Sequence, residues 1–259
     1  MDNNILYKQC FSCIDLTSLN TTDNDAEISK MTDKINRFAD AFPHLPSIAA
    51  ICVYPRFAAT VKRALKVGGV KIAAVAGGFP SSQTFIDIKI AECRAAVDAG
   101  ADELDVVISV GDFLAGEYDK VGDEIAAIKH AVGKVHLKAI LETGALKTEA
   151  SIIKASLLSA EAGADVIKTS TGKSEPAATP EAFRAMAEAV KQYREKTGKQ
   201  VGLKAAGGIV TPEDALTYCE IAACGLGSDN VGADYFRIGA SRLANNLLSA
   251  IEGKPVVWF

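Results

Sequence analysis

Short apolar segments alternate with amphipathic stretches along the whole chain. Eight segments, most of them containing β-branched residues, have the length of strands, whereas the stretches between them show the three-and-four spacing of helices. The predicted strands lie near Cys13–Leu16, Ile48–Val53, Lys71–Val75, Glu103–Ser109, His136–Leu141, Val166–Thr169, Gly202–Ala205 and Phe236–Ile238. This regular alternation predicts parallel βαβ units, and hence an α/β fold.

Three of the predicted helices have recognisable boundaries. The sheet-facing positions of the helix after the third strand are expected to be Ile86, Ile90, Cys93 and Val97. Gly100 should end this helix. Two later helices begin with Thr-Pro-Glu, at Thr179 and Thr211. Each start combines an N-cap hydroxyl, a proline in the first turn and an acid near the positive end of the helix dipole.

A repeated unit favours a closed barrel. The sequence Ala-Gly-Ala-Asp occurs at 99–102 and at 162–165, each time between a helix and a strand. Eight units of about 32 residues would fill the chain, and barrels of eight strands and eight helices run to about 250 residues. We therefore expect a single (β/α)8 TIM barrel domain, 1–259. The alternative, a doubly wound open sheet, would carry a glycine-rich sequence after its first strand, where residues 15–19 are Asp-Leu-Thr-Ser-Leu.

Charged residues occupy inward-facing positions on four adjacent strands. Alternate residues of a barrel strand face the helices and the interior, so polar residues that alternate with outward apolar residues mark inward positions. The predicted inward polar residues are Glu103, Asp105, His136, Lys138, Lys168 and Lys204. Burying several ammonium groups is unfavourable unless they are paired, and such clusters are usually functional. The structural alternative is interior ion pairs of Lys138 or Lys204 with Asp105 or Glu103, or lysines that extend to solvent at the barrel end.

A cationic, poorly solvated interior has a specific chemical use. It lowers the pKa of a lysine from about 10.4 towards neutrality, and a neutral amine can attack a carbonyl group. The resulting Schiff base withdraws electrons and allows an enamine to form. Lys168 is the best candidate because the hydroxyl-rich turn Thr169–Gly172 follows it at a strand end, where barrel active sites are built.

Composition and charge narrow the classes of partner. The net charge of −4 lacks the basic excess of nucleic-acid binders, and no apolar run is long enough to cross a bilayer. We therefore expect a protein that binds neither nucleic acid nor membrane. The first ten residues lack the pattern of a signal peptide, so we expect it to be cytoplasmic. Six cysteines in a chain of this size are expected to be reduced.

Neither a metal nor a nucleotide cofactor is expected. Cys10 and Cys13 form a lone Cys-x-x-Cys pair, which we interpret as ordinary packing because no second pair or nearby histidine completes a zinc site. A metal-dependent mechanism is disfavoured because His44, His130 and His136 fall on different elements without ligand spacing.

Three motifs in the same order carry a family resemblance. Residues 165–173 are Asp-Val-Ile-Lys-Thr-Ser-Thr-Gly-Lys, residues 100–107 are Gly-Ala-Asp-Glu-Leu-Asp-Val-Val, and residues 138–144 are Lys-Ala-Ile-Leu-Glu-Thr-Gly. Together with 15–17, 50–56 and 239–241, these segments resemble the class I 2-deoxyribose-5-phosphate aldolase family over nearly the whole chain. The resemblance independently implies the barrel.

The resemblance also implies a mechanism. Lys168 would form an imine with acetaldehyde, and Asp105 and Lys204 would shuttle protons through an ordered water. The enamine would then add to D-glyceraldehyde 3-phosphate.

Other roles follow from charge and position. As a permanent cation, Lys204 would also keep Lys168 deprotonated. Lys138 would orient Asp105, with a plain ion pair as the alternative, and for Asp15 we expect local capping near Thr17 rather than substrate contact.

Substrate-binding residues are assigned by position. Barrels commonly bind phosphate with the loops after strands seven and eight and a helix N-terminus. The glycines of these loops let backbone N–H groups approach phosphate oxygens. The assigned residues are Lys138, Thr171, Gly172, Lys173, Gly207, Gly208, Gly239 and Ser241.

The chain departs from many relatives at four places. Ala205 replaces a proline after Lys204, Val210 replaces a basic residue, and Arg242 replaces a small polar residue in the last phosphate loop. Phosphate affinity would be weakened by Val210 or restored by Arg242. The chain ends in Phe259 instead of a tyrosine, so this residue cannot carry a proton. The apolar tail is expected to pack on the barrel or on a partner subunit, and the family implies a homo-oligomer.

Two other functions stay open at this point. A barrel of the transaldolase kind would form the imine with a ketose phosphate instead of acetaldehyde. A non-catalytic sugar-phosphate binding barrel would bind the ligand but give no adduct that borohydride traps. The interior lysine cluster weighs against the second alternative.

Overall fold

The computed structural model describes residues 3–259 and contains a closed barrel. Its parallel strands are β1 (Ile14–Thr17), β2 (Ala50–Val53), β3 (Lys71–Ala76), β4 (Glu103–Val107), β5 (His136–Ile140), β6 (Val166–Lys168), β7 (Gly202–Ala206) and β8 (Phe236–Ala240). They pair in chain order, and β8 pairs with β1. Observed and predicted strands differ by no more than two residues at either end. The predicted (β/α)8 barrel is confirmed, and the open sheet is excluded.

Helices surround the barrel. They are α1 (Asn3–Ser12), α2 (Asp25–Asn36), α3 (Phe38–Ala41), α4 (Ala58–Ala64), α5 (Ile86–Asp98), α6 (Val110–Leu114), α7 (Tyr118–Val132), α8 (Thr143–Leu146), α9 (Glu149–Glu161), α10 (Pro180–Thr197), α11 (Pro212–Leu226) and α12 (Arg242–Glu252). In the described residues, no helix has the length and apolar character needed to cross a membrane.

Both Thr-Pro-Glu helix starts lie where the sequence predicts them. The Thr179 side chain accepts a hydrogen bond from Ala182 N at the start of α10. Thr211 and Asp214 form a reciprocal capping box at the start of α11. These caps satisfy backbone N–H groups that the first helical turn leaves unpaired, so they fix where each helix begins.

The hydrophobic core has an outer and an inner layer. Outward residues such as Leu104, Ile167 and Leu203 pack between sheet and helices in the main core. A smaller apolar cluster lines one side of the barrel interior and contains Leu19, Ala50, Cys52, Ala73 and Val75. The predicted alternation is therefore confirmed in the strands that carry the lysines.

The buried face of α5 is centred differently from the prediction. Cys93 is fully buried as predicted, but Ile86, Ile90 and Val97 are only partly covered. The other fully buried residues of α5 are Lys89 and Ala96. Lys89 is tolerated there because its Nζ atom donates to Ser109 Oγ at 2.8 Å and to Glu124 Oε2 at 2.9 Å. The four predicted residues all pack on the core, as predicted, but the most deeply buried line of α5 also includes a paired lysine that the apolar pattern did not indicate.

The cysteine pair and the C-terminal tail are both part of the packing. Cys10 and Cys13 are free, fully buried thiols in the main core. The Phe259 ring stacks on Phe38, with centroids 5.6 Å apart, and the Trp258 ring meets Phe42 edge-on at 5.5 Å. The tail therefore packs on the barrel, as expected.

Candidate active site

Parallel register brings the inward charges to neighbouring positions. Lys138 of β5 is opposite Asp105 of β4, and Lys168 of β6 is opposite Lys204 of β7. Lys204 is in turn opposite Arg237 of β8. All five side chains are buried, with Asp105, Lys138 and Lys204 fully inaccessible to solvent. The three predicted catalytic residues therefore meet inside the barrel.

Asp105 is the centre of this cluster. Its Oδ2 atom accepts hydrogen bonds from Lys168 Nζ at 2.8 Å and from Lys204 Nζ at 2.7 Å. Its Oδ1 atom accepts from Lys138 Nζ at 3.0 Å, and Lys138 also lies 2.6 Å from Glu103 Oε2. The ion pairs considered as a structural alternative are thus present, and they surround the candidate nucleophile.

Two members of the cluster were not predicted from the sequence. Arg237 donates to Asp15 Oδ1 at 2.7 Å and to Glu103 Oε1 at 2.7 Å. Asp15 also accepts from Lys204 Nζ at 2.5 Å. The expected local capping role of Asp15 is therefore wrong, because its carboxylate is committed to cations on β7 and β8. Thr17 Oγ1 instead donates to the backbone oxygen of Asp15.

Positive charge is in excess within this cluster. Among the described residues it contains the cations Lys138, Lys168, Lys204 and Arg237 and the carboxylates Asp15, Glu103 and Asp105. With every group ionised, the cluster carries one more positive than negative charge. Deprotonation of one lysine would remove this imbalance.

Lys168 is the lysine whose surroundings favour deprotonation. Burial lowers its pKa below the ordinary lysine value, and Lys204 adds to the effect, although Asp105 opposes it. Burial acts in the same direction on Lys204, but the carboxylates of Asp105 and Asp15 outweigh it and raise the Lys204 pKa. One lysine is thus held as a cation next to another that is driven towards the neutral amine.

The Asp105 carboxylate stays ionised in this environment. Burial alone would raise its pKa, but Lys138, Lys168 and Lys204 together hold the pKa well below the usual value. An ionised carboxylate between a neutral amine and an ammonium can accept a proton from one and return it to the other. The geometry therefore suits proton transfer around Lys168.

A cavity of about 220 Å³ opens above Lys168 at the carboxyl ends of the strands. The predicted residues that line it are Lys168, Thr171, Gly172, Lys173, Gly207, Gly208, Gly239 and Ser241. Lys138 lies outside this lining and is fully buried. Thr17 and Asn20 also line the cavity, although the sequence did not single them out as substrate contacts. Arg242, which the sequence places in the last phosphate loop, lines it as well.

One wall of the cavity has the features of an anion site. Gly207 and Gly208 have φ values of +92° and +78°, which favour glycine, and a Cβ atom on Gly207 would lie 2.6 Å from Ala177 Cβ. The N-terminus of α12 borders the same wall because Ser241 and Arg242 line it. Unlike Thr179 and Thr211, Ser241 makes no capping side-chain hydrogen bond within residues 3–259. Its hydroxyl and the first-turn N–H groups are thus available to an anion.

Two contacts hold the β6 loop over the cavity. Buried Glu142, in a left-handed conformation with φ +53°, accepts from Thr171 Oγ1 at 2.6 Å and from Thr171 N at 3.2 Å. Lys173 Nζ donates to Leu19 O at 2.5 Å across the mouth. Glu142 was not predicted as a site residue. Its place directly after β5 was the available signal, since site residues of barrels follow the strand ends.

In residues 3–259, no group of three or more His, Cys, Asp or Glu side chains is arranged to hold a metal ion. The carboxylates inside the barrel are occupied by lysine and arginine partners. The chemistry visible in the site is therefore that of amines, carboxylates and hydroxyl groups.

Comparison with known proteins identifies the family. Residues 10–242, which include all eight barrel strands, match the model of the DeoC/LacD family aldolases. The chain belongs to this family. It is therefore an aldolase, a carbon–carbon lyase.

Individual relatives agree with this membership. A Caenorhabditis elegans protein assigned as a deoxyribose-phosphate aldolase is 43% identical over 242 residues, covering 92% of this chain and 79% of the relative. A structure assigned to the same enzyme from Coccidioides immitis is 27% identical, with a TM-score of 0.77, covering 94% of this chain and 86% of that chain. A tetrameric deoxyribose phosphate aldolase from Aeropyrum pernix is 25% identical, with a TM-score of 0.70, covering 96% and 95%.

Proposed function

We propose that the protein reversibly cleaves 2-deoxy-D-ribose 5-phosphate to acetaldehyde and D-glyceraldehyde 3-phosphate through an imine on Lys168. The observation that carries this proposal is the position of Lys168. It is the cation with the least carboxylate contact in a positively charged cluster, and it lines the cavity at the carboxyl ends of the strands. The names of the relatives support the choice of substrate.

Imine formation begins with the neutral Nζ atom of Lys168, which attacks C1 of the open-chain sugar. The resulting carbinolamine loses its hydroxyl group as water after protonation, and the iminium ion remains. Asp105 and Lys204 can supply and accept the protons because both lie within hydrogen-bond distance of the Lys168 site. A water molecule would carry the proton between these groups and the substrate.

Carbon–carbon cleavage follows from the iminium ion. Removal of the C3 hydroxyl proton breaks the C2–C3 bond, and the electron pair of that bond moves into the iminium to give an enamine. C3 becomes the aldehyde carbon of glyceraldehyde 3-phosphate. Protonation of the enamine at C2 and addition of water then release acetaldehyde and the free amine of Lys168.

The phosphate group would bind at the glycine-rich wall of the cavity. Lys173, Gly207, Gly208, Gly239 and Ser241 line this wall, and the uncapped start of α12 adds N–H donors. Arg242 adds a permanent positive charge at the same place, which compensates for Val210. A dianion can therefore be bound locally by a chain whose net charge is −4.

Lys138 is proposed as a positioning residue. Its Nζ atom joins Asp105 Oδ1 to Glu103 Oε2, at 3.0 and 2.6 Å. This arrangement leaves the other oxygen of Asp105 directed to Lys168 and Lys204. Lys138 thus acts through Asp105 instead of contacting the substrate.

Borohydride trapping tests the proposed function. The protein is incubated with 2-deoxyribose 5-phosphate and sodium borohydride, and modified peptides are located by mass spectrometry. A reduced two-carbon adduct on Lys168, absent from the Lys168→Met variant, is the expected result. A larger adduct obtained only with a ketose phosphate would indicate a transaldolase-like reaction. Absence of any adduct on the folded protein would contradict the imine mechanism.

For assembly and location, we propose a cytoplasmic homo-oligomer, a dimer or tetramer. The tetrameric relative from Aeropyrum pernix supports an assembled state. Light scattering coupled to gel filtration gives the molar mass directly. A mass near 27.2 kDa at micromolar concentration would contradict the proposal, since this is the mass of one chain.

A further inference from the structure

Arg237 and Glu103 form a buried pair beside the candidate catalytic residues. Arg237 Nη2 donates to Glu103 Oε1 at 2.7 Å, and Arg237 Nη1 donates to Glu103 Oε2 at 3.0 Å. This two-point contact fixes both side chains. Glu103 lies two residues before Asp105 on β4, so both side chains face the barrel interior. Neither Arg237 nor Glu103 lines the cavity above Lys168.

The contacts of Arg237 leave fewer carboxylate oxygens for the lysines of the cluster. Arg237 uses both oxygens of Glu103 and Oδ1 of Asp15. Lys138 is shared among Glu103, Asp105 and Asp15, and Lys204 contacts Asp15 and Asp105. Of the described carboxylates, only Asp105 lies within ion-pair distance of Lys168, through an oxygen that Lys204 also uses.

We propose that Arg237 and Glu103 are positioning residues that set the protonation state of Lys168. Arg237 supplies the third cation that matches the three carboxylates, so Lys168 is left as the surplus one. This inference rests on the proposed function, because it assigns a role in keeping the Lys168 amine nucleophilic. Neither residue contacts the substrate; both act through the charge that the cluster presents to Lys168.

The charged and titratable groups around Lys168 come from most strands of the barrel. They are Asp15 on β1, Cys52 on β2, Glu103 and Asp105 on β4, Lys138 on β5, Lys204 on β7 and Arg237 on β8. The buried β3 residues of the inner cluster are the apolar Ala73 and Val75. Burial raises the pKa of the Cys52 thiol, which keeps it uncharged. The charge at Lys168 is therefore decided by the lysines, the arginine and the three carboxylates.

The sign of each substitution follows from this charge count. Arg237→Gln removes a cation, so the ammonium form of Lys168 becomes more favourable and its titration midpoint should rise. Glu103→Gln removes a carboxylate, so the midpoint should fall. The double variant removes one charge of each sign and should return the midpoint close to the wild-type value. Arg237→Lys keeps the charge and should leave the midpoint nearly unchanged.

The experiment measures the titration of Lys168 directly. Acetaldehyde and cyanoborohydride are added over a range of pH, and the initial rate of ethylation at Lys168 is followed by peptide mass spectrometry. Acetaldehyde carries no phosphate, so substrate ionisation does not enter the profile. Ethylation of the exposed Lys199 in the same digest serves as the internal control. We expect shifts of about 1 pH unit, upward for Arg237→Gln and downward for Glu103→Gln.

Each outcome decides between distinct conclusions. Opposite shifts in the two single variants, and their cancellation in the double variant, would support the proposal. Identical midpoints in folded wild-type and variant proteins would overturn it while leaving the imine mechanism intact. If Arg237→Gln does not fold, the other two single variants decide. A lower Lys168 midpoint in Glu103→Gln, with an unchanged midpoint in Arg237→Lys, supports the proposal. An unchanged midpoint in Glu103→Gln overturns it. Failure to label Lys168 in the wild-type protein would instead contradict the proposed function.

Discussion

Lys168 and Lys204 donate hydrogen bonds to the same carboxylate oxygen, Asp105 Oδ2, at 2.8 and 2.7 Å. Two ammonium groups that share one oxygen repel each other. Lys204 has a further carboxylate partner in Asp15, whereas the carboxylate within ion-pair distance of Lys168 is Asp105. The pKa of Lys204 is therefore raised while burial lowers that of Lys168. The pKa values of the two lysines are thus shifted in opposite directions although the lysines share a contact, which is a pattern typical of acid and base pairs in active sites.

Replacing Lys204 tests the division of roles between the lysines. Lys204→Leu removes the neighbouring cation and the proton donor, so kcat/KM for 2-deoxyribose 5-phosphate should fall about 10²–10⁴-fold. The pH at which Lys168 becomes reactive should also rise. Lys204→Arg keeps the charge, so acetaldehyde trapping on Lys168 at neutral pH should survive while turnover is lost. Normal turnover in Lys204→Leu would exclude Lys204 from the mechanism.

Lys168 is expected to lower the stability of the fold. Because its pKa is lowered in the native state, the unfolded chain binds the proton more tightly, and stability is lost at pH values below the ordinary lysine pKa of about 10.4. Lys168→Met should therefore raise the free energy of unfolding at pH 7 by about 1 kcal/mol. The difference should be largest at low pH and shrink as the pH approaches 11.

Urea unfolding of Lys168→Met and a matched variant measures this effect. Lys138 is equally buried but contacts three carboxylates, so Lys138→Met should lower the free energy of unfolding by about 3 kcal/mol. A similarly large loss for Lys168→Met would show that Lys168 is a charged structural partner. That result would contradict a neutral amine in the resting protein.

Strand alternation was sufficient to find the lysines but not all of their partners. Lys138 and Lys204 each lie between outward apolar residues, Lys168 follows the outward Ile167, and all three lysines face the interior as predicted. Arg237 lies between Phe236 and Ile238 in the same way, so the same rule applied to β8 identifies it. The alternation of apolar and charged residues that indicated the lysines therefore also indicates Arg237.

Asp15 illustrates what local sequence could not provide. An aspartate near a turn often accepts hydrogen bonds from the backbone a few residues away, which favoured a capping role. Its partners Lys204 and Arg237 instead lie 189 and 222 residues further along the chain. They meet Asp15 only because β8 closes the barrel against β1. The barrel closure that brings these partners together is a property of the whole fold, and the residues next to Asp15 in the sequence carry no sign of it.

Arg242 offers a test of phosphate recognition. It lines the cavity at the start of α12, where its guanidinium can bind the phosphate group. Arg242→Ser should raise KM for 2-deoxyribose 5-phosphate about 10-fold with little change in kcat, since a hydrogen bond to a charged group is worth about 1.5–3 kcal/mol. Steady-state kinetics with unphosphorylated 2-deoxyribose supplies the control, because that substrate should react equally well with both proteins. Arg184→Ser, at an exposed position of α10, should leave the kinetics with both substrates unchanged. An unchanged KM in Arg242→Ser would exclude Arg242 from phosphate binding.

Lys89 provides the last test, and it concerns the fold behind the site. Its Nζ atom is buried between α5 and α7, where Glu124 and Ser109 satisfy it. Lys89→Met leaves Glu124 without its ammonium partner in a poorly solvated place, so the free energy of unfolding should fall by about 3 kcal/mol. Lys89→Met combined with Glu124→Leu removes both charges and should recover most of that loss, because paired buried charges contribute little beyond an apolar replacement. A double-mutant cycle by urea unfolding measures the coupling between Lys89 and Glu124.

The exposed pair Lys196 and Glu161, at 3.4 Å, is the comparison and should contribute less than about 1 kcal/mol. Equal stability of Lys89→Met and wild type would mean that this lysine does not need its partners to remain buried.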